Sequence, residues 1–311
     1  MAISEFGLIQ QYFSKPLNND KVNQLGVGDD CALISVPDGC QLAITTDTMV
    51  EGVHFFAGAD PKQLGHKLLA VNLSDLAAMG AEPVSIMLAL TLPEPDEDWI
   101  KLFAEGLLGL AEQYSIDLIG GDTTSGSLTL TVQALGLVAK KQAMLRSDAK
   151  VGDLIYVTGY LGNAGLGLKV ELGYHCSESE NALAQFHQPM PRVKEGLEIQ
   201  KYANACIDLS DGIASDLKHI LEKSNVGAEL DWNKIPLSKQ VREYIKVTGD
   251  WQMPLAAGDD YELCFTVNPD KADLINIDCT QIGVIEANAG LRIQRLGVIE
   301  ELEVSGFEHF C

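Results

Sequence analysis

Short apolar runs that stop at small residues and an aspartate recur along the chain, and stretches with helical spacing lie between them. The clearest run is Leu42-Ala43-Ile44-Thr45-Thr46, which meets Asp47. The same order returns at Leu25-Gly26-Val27-Gly28-Asp29-Asp30, Leu118-Ile119-Gly120-Gly121-Asp122, Ala205-Cys206-Ile207-Asp208-Leu209-Ser210-Asp211-Gly212 and Leu255-Ala256-Ala257-Gly258-Asp259-Asp260. An apolar, β-branched run of this length predicts a strand. Each copy is therefore expected to bring an acid to a sheet edge, where Gly or Ser admits a second backbone or a ligand. One Gly-Asp alone is ordinary turn chemistry; the recurrence is what points to function.

Between these runs, Ser4 is expected to cap a short helix carrying Phe6, Leu8, Ile9 and Phe13. The turn Pro37-Asp38-Gly39 makes strands over 31–36 and 41–46 hairpin partners. From Pro61 the spacing turns helical, with Leu64, Leu68, Val71, Asp75 and Met79 on one face and Gly80 as terminator. Asp75 thus lies on an apolar face, where a carboxylate needs a compensating partner. A strand over 84–92 follows, then a helix from Pro95-Asp96 with Trp99, Leu102, Phe103, Leu107 and Leu110 inward, and strands near 117–119 and 128–138. Residues 1–140 read as an α+β unit. The polar stretch holding Lys140, Lys141, Arg146, Asp148 and Lys150 marks the boundary.

The second unit, 150–311, reads as α/β: a strand over 154–158, helices over 178–187 and 193–203, a strand 205–209 joined to a helix 213–223, and strands near 227–231, 261–267, 281–285 and 291–294. The glycine-rich stretch from Gly159 to Gly167 fits neither G-x-x-x-x-G-K-[ST] nor G-x-G-x-x-G, so it is read as packing rather than as a phosphate loop.

The net charge of −22, from 22 basic and 44 acidic residues, with no basic cluster, argues against nucleic acid as a partner. Seven cysteines, at 31, 40, 176, 206, 264, 279 and 311, include no C-x-x-C pair and read as buried thiols of a reducing compartment. No basic-then-apolar leader opens the chain and no apolar run suits a bilayer, so a cytoplasmic protein without membrane contact is expected.

Carboxylates gathered by a fold raise one another's pKa unless cations lie between them. Oxygen-only donors suit Mg²⁺ or Ca²⁺, and Mg²⁺ shares its shell with substrate phosphates. The pattern therefore predicts a multi-magnesium, phosphate-handling enzyme. Asp208 and Asp211, with Ser210 between them ahead of a helix, would form an oxygen-rich cup for metal and phosphate; Asp211 as a plain helix cap is the competing reading. Arg146 is either solvated linker or a bidentate phosphate ligand.

These segments, with Glu51-Gly52-Val53-His54-Phe55, Val71-Asn72-Leu73-Ser74-Asp75-Leu76-Ala77-Ala78-Met79-Gly80-Ala81 and Gly258-Asp259-Asp260-Tyr261-Glu262-Leu263, resemble the bacterial thiamine-monophosphate kinases, in order along essentially the whole chain. That family belongs to the aminoimidazole-ribonucleotide synthetase-like superfamily. The resemblance implies an α+β N-terminal domain for metal and ATP whose sheet pairs across a homodimer, and an α/β C-terminal domain that completes the site. It implies ATP-dependent phosphorylation of thiamine monophosphate to the diphosphate with several Mg²⁺ ions. By position, Asp30, Thr45, Thr46, Asp47, Asp75, Asp122, Asp208 and Asp211 correspond to metal ligands. Gly121, Asp122, Arg146 and Ser210 correspond to ATP contacts, and His54, Asp259 and Phe307 to substrate contacts. Two departures stand out: the family commonly has Glu at Asp259 and a hydroxyl- or indole-bearing ring at Phe307. A sibling ATP-using synthetase is the nearest alternative, and a non-catalytic Mg-nucleotide-binding protein the alternative from another class. Selenophosphate synthesis is disfavoured because no reactive Cys precedes Cys31.

Overall fold

The computed structural model describes residues 5–19, 21–176 and 178–303, with side chains from Gly7 onward. Two compact units emerge, one running to Leu76 and from Ala81 to Lys141, the other taking Ala77–Gly80 and the chain from Gln142.

The first unit opens with α1 (Glu5–Leu8), continued by a π-helical turn over Ile9–Phe13; the expected Ser4 cap lies outside the described residues. The remaining elements are β1 (Asn23–Leu25), β2 (Leu33–Ile34), β3 (Cys40–Val50), α2 (Pro61–Ala78), β4 (Glu82–Leu92), α3 (Glu97–Gln113), β5 (Asp117–Ser125) and β6 (Thr129–Ala139). The long strands form a sheet in the order β3-β6-β4-β5, antiparallel except for β4 with β5. The hairpin expected between 31–36 and 41–46 does not form. β3 pairs with β6 over its full length, from Cys40↔Ala139 to Val50↔Thr129, and β2 pairs with β1 instead. An unbroken ladder satisfies far more backbone groups than a short hairpin would.

Two helices cover one face of this sheet. Asp96 caps α3 by accepting from the N–H groups of Asp98 (3.0 Å) and Trp99 (3.1 Å). Ile100, Phe103, Leu107 and Leu110 are buried, but Leu102, expected inward, is 39% exposed because it falls off the stripe those residues define. α2 and α3 touch backbone to backbone: a Cβ at Gly65 would lie 2.2 Å from the Phe103 carbonyl oxygen, and one at Gly106 1.9 Å from that of Lys62. That contact fixes the helix that carries Asp75.

The second unit contains β7 (Leu154–Thr158), α4 (Asn163–Glu171), α5 (Glu180–His187), α6 (Val193–Ile199), β8 (Ala203–Asp208), α7 (Ile213–Ser224), β9 (Gly227–Asp231), α8 (Lys239–Thr248), α9 (Met253–Ala256), β10 (Leu263–Val267), β11 (Cys279–Glu286), β12 (Gly290–Arg295) and β13 (Val298–Glu301). Its mixed seven-stranded sheet has the order β13-β12-β9-β11-β7-β10-β8, with β12 and β9 parallel. The core gathers Ile155, Val157, Ile207, Leu217, Ile220, Val241, Leu255 and Ile293. Leu255-Ala256 is helix rather than strand, since Pro254 favours the first turn of α9. The cysteines are not all buried: Cys206 and Cys264 are, whereas Cys31 is exposed, and the six described cysteines are free thiols. Among the described residues no helix is long and apolar enough to cross a membrane.

Candidate active site

Strand β3 does not end at Asp47. Thr48, Met49 and Val50 extend the ladder, which leaves the acid in mid-strand on an edge strand of the sheet. Alternation then sorts the run by face: Met49 is buried on the side carrying Thr45 and Asp47, while Ile44, Thr46 and Thr48 are exposed on the other. α2 meets the first set. The Thr45 hydroxyl donates to Asp75 Oδ2 in a short hydrogen bond. Burial, and then the neighbouring Asp75 carboxylate, push Asp47 up to about 7. Thr45, Asp47 and Asp75 are thus brought together. Thr46 is not, and its hydroxyl donates to the Val132 carbonyl (3.1 Å).

Gly121 and Asp122 lie inside β5 rather than in a turn after it, at the opposite edge of the sheet from β3. Register aligns Asp47 with Val132, Leu88 and Gly121, and puts Asp122 in the next row with Ala89, Thr131 and Thr48, on the other face. Three strand spacings place Asp47 and Asp122 about 14 Å apart, too far to share one ion within one sheet. Asp30 is exposed on the loop between β1 and β2, where its N–H donates to Asp29 Oδ1 (2.9 Å). His54 sits in the turn after β3, and its Nδ1 accepts from the Val50 N–H (3.0 Å). Nδ1 is therefore unprotonated, and a neutral ring carries its proton on Nε2.

In the second unit two of the aspartate motifs meet. The Asp259 N–H donates to the Ser210 carbonyl (2.9 Å) and the Tyr261 N–H to that of Leu209 (2.8 Å), and a Cβ at Gly258 would lie 2.1 Å from the Ser210 oxygen. Asp259 and Tyr261 both adopt positive φ, 67° and 48°, a conformation costly for non-glycine residues and held here by those bonds. The Tyr261 hydroxyl donates to Asp259 Oδ1 (3.1 Å). Asp208 is buried at the end of β8. Asp211 is not the cap of α7. Gly212 holds that position, and the Asp211 N–H donates instead to Asp216 Oδ2 (3.0 Å). Arg146 is exposed, its carbonyl accepting from the Ser224 hydroxyl (2.8 Å) and its guanidinium near enough to favour ionised Asp216. Phe307 lies outside the described residues.

Three acids in this neighbourhood escaped the sequence reading as distinct roles. Asp260, counted with the recurring motif, accepts from the N–H groups of Gly162 (2.6 Å) and Ala164 (3.1 Å). It therefore occupies the start of the glycine-rich helix from within. Glu262, buried beside it, binds Arg192 bidentately (Nε to Oε2 2.6 Å) and accepts from the Thr158 hydroxyl (2.6 Å). Asp216 has the third role. Each partner is distant in sequence or on the next helical turn, and only the alternation of these acids with core residues hinted at burial.

The donor set suits a hard cation. Among the described residues no three His, Cys, Asp or Glu side chains converge as a ready-made metal cage, which is the usual situation for Mg²⁺, bound by one or two carboxylates plus phosphate oxygens. Asp47 carries the fit: both influences on it, burial and Asp75, disfavour its charge, and an intervening cation reverses both.

Comparison with known proteins follows the same order of segments. Residues 28–138 match the family model of the AIR synthase related protein N-terminal domain, and residues 150–295 that of the C-terminal domain. The chain is 45% identical over 324 residues to the thiamine-monophosphate kinase of Haemophilus influenzae, covering 100% of this chain and 99% of that protein. The chain belongs to the thiamine-monophosphate kinase family. Its fold agrees with that of the kinase from Stenotrophomonas maltophilia at a TM-score of 0.85 and 41% identity, over 94% of this chain and 97% of that one. AaThiL, solved in complex with AMPPCP and TMP, superposes with a TM-score of 0.81 at 30% identity over 99% of this chain and 97% of that one.

Proposed function

We propose that this thiamine-monophosphate kinase family member transfers the γ-phosphoryl group of ATP to the phosphate of thiamine monophosphate, giving thiamine diphosphate and ADP. The observation that carries the reading is the full-length relationship to kinases of that name, together with the related chain that holds an ATP analogue and TMP. An acceptor phosphate is already anionic at neutral pH, so no general base is needed, and the barrier is repulsion between two anions. Thr45, Asp47 and Asp75 in the first unit, with Asp30, Thr46 and Asp122, and Asp208 and Asp211 in the second, are proposed to hold Mg²⁺. The ions would supply charge neutralisation for in-line transfer without a phosphoenzyme. Gly121, Asp122, Arg146 and Ser210 are assigned to ATP. His54 is assigned to the substrate as a donor through Nε2, with Asp259 and Phe307.

The same reading includes a homodimer in the cytoplasm. Asp47 and Asp122 lie on the two edge strands of one sheet, and Ile44 is 57% exposed on its uncovered face. A second copy meeting that sheet would cover that face and supply the other edge. ³¹P NMR of the chain with Mg-ATP and thiamine monophosphate, omitting each in turn, tests the reaction. Joint appearance of thiamine diphosphate and ADP is expected. Consumption of ATP without diphosphate, or no change at all, overturns it, and ³²P retained on denatured protein overturns direct transfer.

A further inference from the structure

Asp216 belongs to no substrate or metal contact assigned above, yet it sits directly behind the turn that carries Asp208 and Asp211. It is 3% exposed, in the first turns of α7. Its carboxylate accepts the Asp211 N–H at 3.0 Å and is also approached by the N–H of Gly212, while its own N–H donates to the Gly212 carbonyl (2.9 Å). The arrangement resembles a capping box displaced by one residue, with the acid reaching back past the cap to the residue before it. From the other side, a Cβ at Gly212 would lie 2.7 Å from the Ala256 carbonyl carbon, and Gly212 has φ 100°. The Asp211-Gly212 peptide is therefore clamped between Asp216 and the Ala256–Gly258 backbone.

An uncharged cap would satisfy those N–H groups at a lower desolvation cost. What Asp216 adds that a cap at Gly212 would not is reach: its carboxylate extends back past the cap to the Asp211 N–H. The same helix ends at Ser224, which accepts the Ala149 N–H (3.2 Å) and donates to the Arg146 carbonyl. One helix thus tethers the backbone of a proposed metal ligand at its start and that of a proposed phosphate ligand at its end.

We propose that Asp216 is a positioning residue for phosphoryl transfer: it fixes the peptide that presents Asp211, so that the turn binds a divalent cation. The inference rests on the reading of Asp211 as a cation ligand. It is tested on the full chain by Mn²⁺ titration followed by EPR, with and without ATP, beside steady-state turnover and circular dichroism. Asp216→Ala should weaken Mn²⁺ binding about 10–100-fold, the usual cost of losing an outer partner of a ligand. KM for Mg-ATP should rise more than KM for thiamine monophosphate. Asp216→Asn, which keeps one acceptor oxygen where the carboxylate has two, should fall between Asp216→Ala and the wild type, and it decides the matter if Asp216→Ala does not fold. Folded variants that bind Mn²⁺ as the wild type does would leave Asp216 a purely structural cap and overturn the inference alone. A wild type without Mn²⁺ affinity, or an unaffected Asp211→Asn, would overturn the cation reading itself and this inference with it.

Discussion

Gly120 and Gly121 are neighbours on β5, and the structure predicts opposite outcomes for the same substitution. At Gly120 an added Cβ would meet only the end of the Met87 side chain, at 3.6 Å. At Gly121 it would lie 1.8 Å from the Leu88 carbonyl oxygen and 2.7 Å from its carbon, in the row that links Gly121 to Asp47. A carbon needs about 3.3 Å from a carbonyl oxygen, so the deficit is about 1.5 Å and is backbone against backbone. No rotamer relieves it, and β5 must part from β4 where it carries Asp122. A misplacement of about 1 Å costs roughly 100-fold in rate when it moves a reacting group, and overpacking costs about 1–3 kcal/mol in stability. Gly121→Ala should therefore lose at least about 100-fold in kcat/KM by coupled ADP release, with a lowered urea midpoint, whereas Gly120→Ala should stay within about threefold. Equal activity of the two variants would refute the placement of Gly121 and the dependence of turnover on the geometry of β5.

Removing Arg192 should strand a buried charge: Glu262 is 3% exposed, and Arg192→Ala is expected to cost about 3–5 kcal/mol in urea unfolding, partly recovered by adding Glu262→Gln. A cost below about 1 kcal/mol would contradict the pairing. Burial pushes Asp260 from 3.8 to about 8, against the two N–H groups that favour its ionised form. Between those values the unfolded chain has released its proton while the native one retains it. Stability should therefore fall as pH rises from about 4 to about 8, and thermal melts of Asp260→Asn should lack that part of the slope. Asp47→Asn and Asp211→Asn should each lose most activity with circular dichroism unchanged; wild-type turnover at limiting Mg²⁺ in either would remove that residue from the metal site.

What could be read from the sequence was what is local. The α2 periodicity put Asp75 on an apolar face, and its partner, Thr45, lies on a strand 30 residues earlier. Asp96 was legible as the start of α3 because a cap and its N–H groups are three residues apart. Strand ends were not legible where small residues persist in a ladder: Gly120-Gly121-Asp122 looks like a turn, but pairing with β4 carries the strand on to Ser125. The 31–36 hairpin failed for the complementary reason, since β6, about a hundred residues away, competes for β3. α8 left little impression because its signal is a Ser238 cap accepting the Val241 N–H (3.2 Å) ahead of a mainly polar run.

The acids of this chain divide by what meets them, and that division separates scaffold from site better than burial does. Asp117 accepts from Asn18 N–H (2.7 Å), Asn19 N–H (3.0 Å) and the Asn23 amide (2.8 Å), and so ties the N-terminal segment to β5. Asp260 and Asp216 likewise receive backbone N–H groups, and Glu262 receives a guanidinium. Folding supplies part of the compensation these groups need, because donors that the chain must satisfy anyway are aimed at them, although burial still raises Asp260 to about 8 and Asp216 to about 7. Asp47 differs in kind: its proton affinity is raised by burial and by another acid, and no donor counts among the causes of its shift. An acid placed where folding only disfavours its charge must be stabilised from outside the chain, by a proton or by a cation. In the proposed site that role falls to Mg²⁺, whose shell the phosphates of ATP would complete.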